Sequence, residues 1–534
     1  MKRIVFLIIG TLLVLGLVLP GCGGPGGGFE NWITIGVIGP MANIQGRDHW
    51  AGALMAQDEI NDAGGVTIGE TVYGIALEKI DSNEIVDTTG VTGQTRLQAK
   101  IDSLDFVVGG FRTEAVIVYR EVAMEAGVIF IDDGAATAAL QFSVFADYPA
   151  YKYWFKGTPY NEVYLVTSCL KMTGGALAQI KAGLGNPPTP LKIEVLAEDA
   201  AWSLPMVPYV QGWCLGYGYN YTGLTKVASN ANDISAQLQA IAADDPQIVF
   251  TILSGPPGKA YGAQQATYLP NVFSIGINVE SQDIDYHADT GAKYHITLDT
   301  WAEDVALTSK TLTFFEDFVS TYGRYPTYCA ATYDTIKALV EAVLDVGIVT
   351  DDVITWFEDV ANAYTGTAST TGYYTDVTTF NATLGYLSFD QAMVLYPHLP
   401  AFFGTSEPEL EAYWLTYALG INGSGKAGFT TSHGFLPHDT VYGPGWQTGQ
   451  GVQWQPDDPA HPELAWSKVG WWPCVLLPGV GENEPAVDLD PTEVATLKAA
   501  GLLDKFGNWN FGYTGSVPLV IPADFITYWN AHGY

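Results

Sequence analysis

The chain has 534 residues, room for roughly two or three domains, and its 48% hydrophobic and 13% aromatic content excludes a disordered polymer. Its 23 Lys and Arg stand against 57 Asp and Glu, a formal charge of −34. A surface of that sign repels phosphate backbones and argues against DNA or RNA as a partner.

In chain order, the first segment is Lys2 and Arg3 followed by an uncharged run from Ile4 to Pro20. A short basic start before an apolar run is the pattern of a secretory signal, and as a transmembrane span it is marginal, since about 20 apolar residues are needed to cross. Leu19-Pro20-Gly21-Cys22 resembles the lipobox of prokaryotic lipoproteins, which implies lipidation of Cys22. The expectation is a signal peptide over 1–21 and a Gly-rich tether over 22–31, with an uncleaved anchor as the alternative. Gly23–Gly28 make a flexible leash in either case, because glycine without a Cβ samples most of φ/ψ space. The expectation is therefore an exported chain tethered to the outer face of the cytoplasmic membrane, in the periplasm or at the cell surface. If Cys22 carries lipid, Cys169, Cys214, Cys329 and Cys474 are left, with three possible connectivities. Cys169–Cys214 is the least implausible pair, since both fall in one candidate lobe.

From residue 32 the pattern alternates. "WITIGVIGP" (32–40) is short and apolar, as a buried strand is. "RDHWAGALMAQDEINDAGG" (47–65) places Trp50, Ala53, Leu54, Ala56 and Ile60 on one helical face, with Gly64-Gly65 as its stop. Strands are predicted at 74–81, 105–110 and 128–133, with helices at 89–103 and 113–126 between them. The alternation restarts with a helix at 160–173. Strands follow at 191–197, 224–228, 247–253 and 272–277, with helices at 203–216 and 232–243. "YDTIKALVEAVLDVG" (333–347) repeats apolar residues at Ile336, Leu339, Val340, Val343 and Leu344, a helical spacing. Apolar strands alternating with helices mean parallel sheets covered on both faces, so the fold class is α/β with two Rossmann-like lobes. Beyond about residue 350 the sequence turns polar and turn-rich. "GPGWQTGQGVQWQPDDPAHP" reads as loop, and the last seventy residues as one helix at 491–502 and an irregular tail.

The segments "ITIGVIGPM", "GALMAQDEINDAGGV", "DFVVGGFRTEA", "AGVIFIDDGAAT", "LAEDAAW" and "YGRYPTYCAATYDTIKALVEAV" stand in one order. In that order they resemble the type I periplasmic binding proteins, specifically the branched-chain amino acid (Leu/Ile/Val-binding) receptors of ABC importers. "GYLSFD" (385–390) and "HDTVYGPG" (438–445) are similar to late segments of that family. The resemblance implies a ligand cleft between two lobes joined by a multi-strand hinge. One lobe is expected over 32–155 plus about 298–372 and the other over 156–297 plus about 373–460, with 461–534 wrapping them.

In an open α/β sheet, ligands sit beyond the carboxyl ends of the strands, so the loops leaving those ends are where binding residues belong. Asn43-Ile44-Gln45 follows the first strand and makes Gln45 a candidate. Phe111-Arg112-Thr113-Glu114 and Gly134-Ala135-Ala136-Thr137 follow two others. The resemblance implies that these two loops hold a ligand carboxylate by hydroxyls and backbone N–H groups, which makes Arg112, Thr113, Ala135 and Thr137 candidates. Both threonines can equally be helix N-caps. Trp202 stands where the family has an aromatic, as a ligand wall or as a core residue. Ser254 lies in a loop, Ser254-Gly255-Pro256-Pro257, where the family commonly has a tyrosine. Asn278 occupies the position at which α-amino-acid receptors of the family carry a glutamate for the ligand's ammonium. Glu280 or Asp283 is a possible substitute, and otherwise the solute lacks an amine.

Other signals are set aside. Gly420–Lys426 fits a phosphate-binding loop only until Ala427, where Ser or Thr is required. His433, His438 and Asp439 lack metal-ligand spacing, and Asp488-Leu489-Asp490 lacks the rest of a calcium loop. No Gly-x-Ser-x-Gly elbow is present, nor a Gly-x-Gly-x-x-Gly after a strand. The reading is a non-enzymatic, solute-binding lipoprotein, without cofactor or metal, that closes on an amino acid, amide or carboxylate and hands it to an ABC permease. The alternatives are a same-fold sensor feeding a signalling receptor and a secreted hydrolase on an α/β scaffold.

Overall fold

The computed structural model describes residues 28–302, 311–364, 450–456, 466–473 and 519–534, apart from positions 160, 186 and 188. Cys22, Cys474, the segments 385–390 and 438–445, the loop 420–428, His433, His438, Asp439, the 488–490 acidic pair and the helix expected at 491–502 lie outside the described residues.

The first sheet is built from β1 (Asn31–Gly39), β2 (Val66–Ile68), β3 (Thr71–Asp81), β4 (Phe106–Gly109), β5 (Ile129–Asp132) and β6 (Trp154–Lys156). Their order across the sheet is β2-β3-β1-β4-β5-β6, parallel except for the β2–β3 hairpin. Between the strands run α1 (Ile44–Asp62), α2 (Val91–Gln98), α3 (Thr113–Ala126), α4 (Ala139–Ala146) and α5 (Tyr148–Tyr151). Side chains alternate across the sheet as the strand period demands. Phe106, Val108, Ile129 and Ile131 face one core with Ala53, Ala56 and Ile60 of α1. Val107 and Phe130 face the other, with Val116 and Tyr119 of α3. Two covered faces are why these strands read as unbroken apolar runs.

The second sheet holds β7 (Lys192–Glu198), β8 (Asn220–Val227), β9 (Ile248–Leu253), β10 (Phe273–Asn278) and β11 (Ile296–Asp299), all parallel. Its helices are α6 (Glu162–Gly183), α7 (Val207–Tyr217), α8 (Ser235–Asp244), α9 (Pro256–Tyr268) and α10 (Tyr286–Thr290). After β11 the chain returns to the first lobe, where α11 (Thr311–Tyr322), α12 (Thr332–Val346) and α13 (Thr350–Tyr364) complete one core. Ile336, Leu339 and Val343 of α12 are buried there as the helical period predicts, while Leu344 at the edge of the stripe is exposed.

Three sequence expectations need correction. The segment expected to be a loop contains a strand, β12 (Gln450–Pro456), which joins β13 (Trp466–Pro473) in an antiparallel hairpin added to β11. The second sheet is therefore mixed, in the order β13-β12-β11-β10-β9-β7-β8. The expected irregular tail ends in α14 (Ala523–Ala531), whose Trp529 is fully buried in the second-lobe core and donates its indole N–H to the Asn271 carbonyl at 2.9 Å. Cys169, Cys214 and Cys329 are free thiols packed in that core, so the Cys169–Cys214 pair is not formed. Among the described residues no helix is long and apolar enough to cross a membrane.

Candidate ligand-binding site

The carboxyl ends of the two sheets face each other, and between them lies a cavity enclosing about 690 Å³ of free space, part of it open to solvent. The first lobe contributes Phe111 and Arg112 from the loop after β4, and Gly134 and Ala136 from the loop after β5. The crossings between the lobes contribute Thr158, Pro159 and Thr300, and the turn between α11 and α12 of the first lobe contributes Tyr328. The second lobe adds Leu165, Trp202, Ser254, Ile277, Val279, Gln282, Leu298 and Asp299. An apolar wall interrupted by a few polar groups suits a small organic molecule.

Backbone geometry lets the loops close on one another. A Cβ on Gly134 would meet the Gly110 carbonyl oxygen at 1.7 Å, so only glycine allows the β4 and β5 loops this approach. Gly255, with φ +60°, turns β9 into α9, and Pro256 and Pro257 then start the helix where no backbone N–H partner is needed.

Arg112 crosses the lobe boundary. Its Nη1 donates to Oε1 of Glu198, the last residue of β7, at 2.6 Å, and both side chains are almost wholly buried. Nη2 donates to the Ser229 carbonyl at 3.3 Å, while Nε has no partner among the described residues. The other oxygen of Glu198 accepts from Ser254 Oγ at 2.6 Å and Trp202 Nε1 at 3.1 Å. Three sequence candidates, Arg112, Trp202 and Ser254, thus line the cavity and share one carboxylate. Breaking such a buried pair by removing one partner typically costs about 3–5 kcal/mol. Behind Arg112, its backbone N–H donates to Glu84 Oε2 at 2.7 Å, and burial pushes the Glu84 carboxyl up to about 7.

The remaining candidates lie apart from the cavity wall. Gln45 is in the first turn of α1 and donates to Glu280 Oε1 at 2.7 Å, a second tie between the lobes. Glu280, weighed as a partner for a ligand ammonium, is occupied by this contact, and burial raises its carboxyl. Thr113 is the first residue of α3 and not its cap, and its buried hydroxyl has no partner among the described residues. Thr137 accepts from the Ala139 N–H at 3.2 Å, a local turn contact at the start of α4. The N–H of Ala135, expected to hold a carboxylate, donates to Asp132 Oδ1 at 3.0 Å, and its carbonyl accepts from Lys156. Asn278 uses its amide inside the second lobe, donating to the Gly258 carbonyl at 3.1 Å and the Tyr286 hydroxyl at 3.0 Å. It is a packing residue beneath α9, because β10 directs it toward that helix.

Sequence reasoning missed Glu198, Gln282, Asp299, Tyr328 and Lys468. Glu198 closes the apolar run "LKIEVLAE", and an acid at the end of a buried strand needs a partner; that was a usable signal. Lys468 was beyond reach: it sits on β13, yet its ammonium meets Asp299 Oδ2 at 2.6 Å and the Gln282 carbonyl at 2.8 Å, fully buried. Burial raises the Asp299 carboxyl, and the Lys468 ammonium opposes that shift.

Comparison with known proteins adds the following. A family model described as periplasmic binding protein matches residues 33–387. No curated protein matches the chain significantly. Among solved structures, a periplasmic binding protein from Burkholderia mallei is 14% identical and aligns over 82% of this chain and 95% of its own, with a TM-score of 0.51. An ABC transporter substrate-binding protein from Sphaerobacter thermophilus is also 14% identical, over 82% and 96%, with a TM-score of 0.50. A solute-binding protein from Rhodopseudomonas palustris BisB5, in complex with 3,4-dihydroxybenzoic acid, is 18% identical over 62% and 85%, with a TM-score of 0.49. At 14% identity the first two show the fold alone.

Proposed function

The chain belongs to the periplasmic binding protein family, and from that premise we propose that it is the extracytoplasmic solute receptor of an ABC importer. It captures a small organic molecule with an apolar body and a hydrogen-bonding head group, and delivers it to a permease without chemical change. Membership in a family of binding proteins agrees with the expectation that the chain is not an enzyme.

The observation that carries the reading is the cavity between the carboxyl ends of the two sheets, with Arg112 from one lobe and Trp202 and Ser254 from the other on its wall. Closure of the lobes around a solute buries it among these groups, so the closed form is favoured by the solute's differential affinity for it. Phe111, Trp202, Tyr328 and the aliphatic residues from Leu165 to Leu298 take the apolar body. Arg112, Ser254, Gln282 and Thr300 surround the head group. The lipobox-like sequence at Cys22 and the glycine leash support tethering at the outer face of the membrane, within reach of a permease.

A thermal-shift screen of the full chain tests this, using neutral amino acids, their amides, and aliphatic and aromatic carboxylates. A solute at 100 times its dissociation constant adds about 2.7 kcal/mol of stability. A rise in melting temperature with at least one class, lost in Trp202→Ala, is expected. Silence across the whole panel overturns the receptor reading.

A further inference from the structure

Charge at the cavity wall is balanced within the protein itself. Arg112 from the first lobe and Glu198 from the second form one buried pair at 2.6 Å. Asp299, at another part of the wall, is matched by the buried Lys468 at 2.6 Å. Glu198 is the shared acceptor of Arg112, Trp202 and Ser254, so a single carboxylate orients three side chains that face the cavity. The Trp202 and Ser254 donors are spent on it. Of the three Arg112 nitrogens, Nε is the one with no partner among the described residues.

We propose that Glu198 sets the charge selectivity of the site: by neutralising Arg112 across the lobe boundary, it restricts the solute to molecules without net charge. Arg112 then offers a hydrogen bond and not an ion pair. This inference rests on the receptor reading above. A monoanionic solute accepting from the Arg112 Nε–H would place a second carboxylate beside Glu198, two negative charges against one guanidinium in a buried setting, and like charges a few ångström apart disfavour each other. An amide brings an acceptor without charge. A zwitterion brings both signs, its carboxylate compensated by its own ammonium.

The test is isothermal titration of the full chain with two matched series: leucine, 4-methylpentanamide and 4-methylpentanoate, and phenylalanine, 3-phenylpropanamide and 3-phenylpropanoate. In the wild type, the amide or the zwitterion of a series is expected to bind at least about tenfold more tightly than the anion. Glu198→Gln frees the Arg112 charge, so the anion is expected to gain about tenfold while the amide gains nothing. The double variant Arg112→Gln/Glu198→Gln removes both charges and should lose that gain; it also serves where the unpaired arginine of the single variant prevents folding. Wild-type binding of the anion as tight as that of the amide overturns the inference and leaves the receptor reading standing. So does an equal shift of all three ligands in Glu198→Gln, the mark of a merely structural carboxylate. No binding by any of the six compounds overturns the receptor reading and the inference with it.

Discussion

The two sheets end in the same device reached by different routes. In the first lobe, Asp132 at the end of β5 pairs with Lys156 at the end of β6 at 3.0 Å, and the lysine also donates to the Ala135 carbonyl. In the second, Asp299 at the end of β11 pairs with Lys468 on β13 at 2.6 Å, and that lysine also donates to the Gln282 carbonyl. All four side chains are fully buried. The first pair spans 24 residues and the second 169. A strand-end carboxylate beside a ligand cleft needs a cation in either lobe, but only in the first does the neighbouring parallel strand supply it. In the second, an antiparallel hairpin from beyond the family-matched segment 33–387 does so.

The largest expected effect tests whether the pairs are equivalent. Lys156→Met and Lys468→Met should each cost about 3–5 kcal/mol, because each leaves a buried carboxylate without its cation. Urea unfolding of the full chain measures both. A cost below about 1 kcal/mol for Lys468→Met alone would make the hairpin a peripheral addition to the sheet. Replacing both partners, as in Asp299→Asn/Lys468→Met, should recover much of the loss, since no uncompensated charge remains.

A smaller effect is the pH dependence that buried carboxyls give the first lobe. In the first lobe burial pushes Asp133 up to about 8 and Glu84 to about 7, with Asp132 adding to both shifts and Lys156 or Arg112 opposing them. A carboxyl raised in the folded state binds its proton more tightly there than in the unfolded chain. Its contribution to stability is complete below its ordinary value of 4.5 and is lost as pH climbs through 7. For Glu84, raised from 4.5 to about 7, the loss is on the order of 3 kcal/mol at most. Glu84→Gln should therefore lessen the fall in melting temperature between pH 5 and 7, while the part that Asp133 contributes across that window and on to about pH 8 remains. An unchanged slope would assign the loss to other groups.

The smallest effect concerns the tie outside the cavity. Gln45→Ala removes the donor to Glu280 across the cleft, and a lost hydrogen bond to a buried carboxyl is worth about 1–3 kcal/mol. It should weaken the binding of whichever solute the screen identifies by one factor for all ligand charges. Glu198→Gln, in contrast, changes the ranking of ligands. A change of ranking in Gln45→Ala would move charge selectivity away from the Arg112–Glu198 pair.

What the sequence determined by itself was the α/β alternation. α3 begins and ends where the periodicity of 113–126 puts it, and β9 and β10 follow the apolar runs "QIVFTIL" and "VFSIGI". These features are legible because helix and strand periods, glycine stops and two-sided burial act within a dozen residues. It also named Arg112, Trp202 and Ser254, since loops after parallel strands converge in any sheet of this kind. Tertiary structure alone decided the rest. Nothing near Gln450 or Trp466 announces that β12 and β13 close a sheet begun at Lys192, because strand pairing at such distance is set by the edge left open at β11. Nothing near Asn278 shows that its amide turns to Gly258 and Tyr286, and nothing near Ala135 shows that Asp132 has already taken its N–H. Arg112 and Glu198 lie 86 residues apart, on lobes that each fold from local patterns. Only the meeting of the lobes makes one the other's counter-ion, because a buried charge takes its partner from whatever three-dimensional packing brings within about 3 Å.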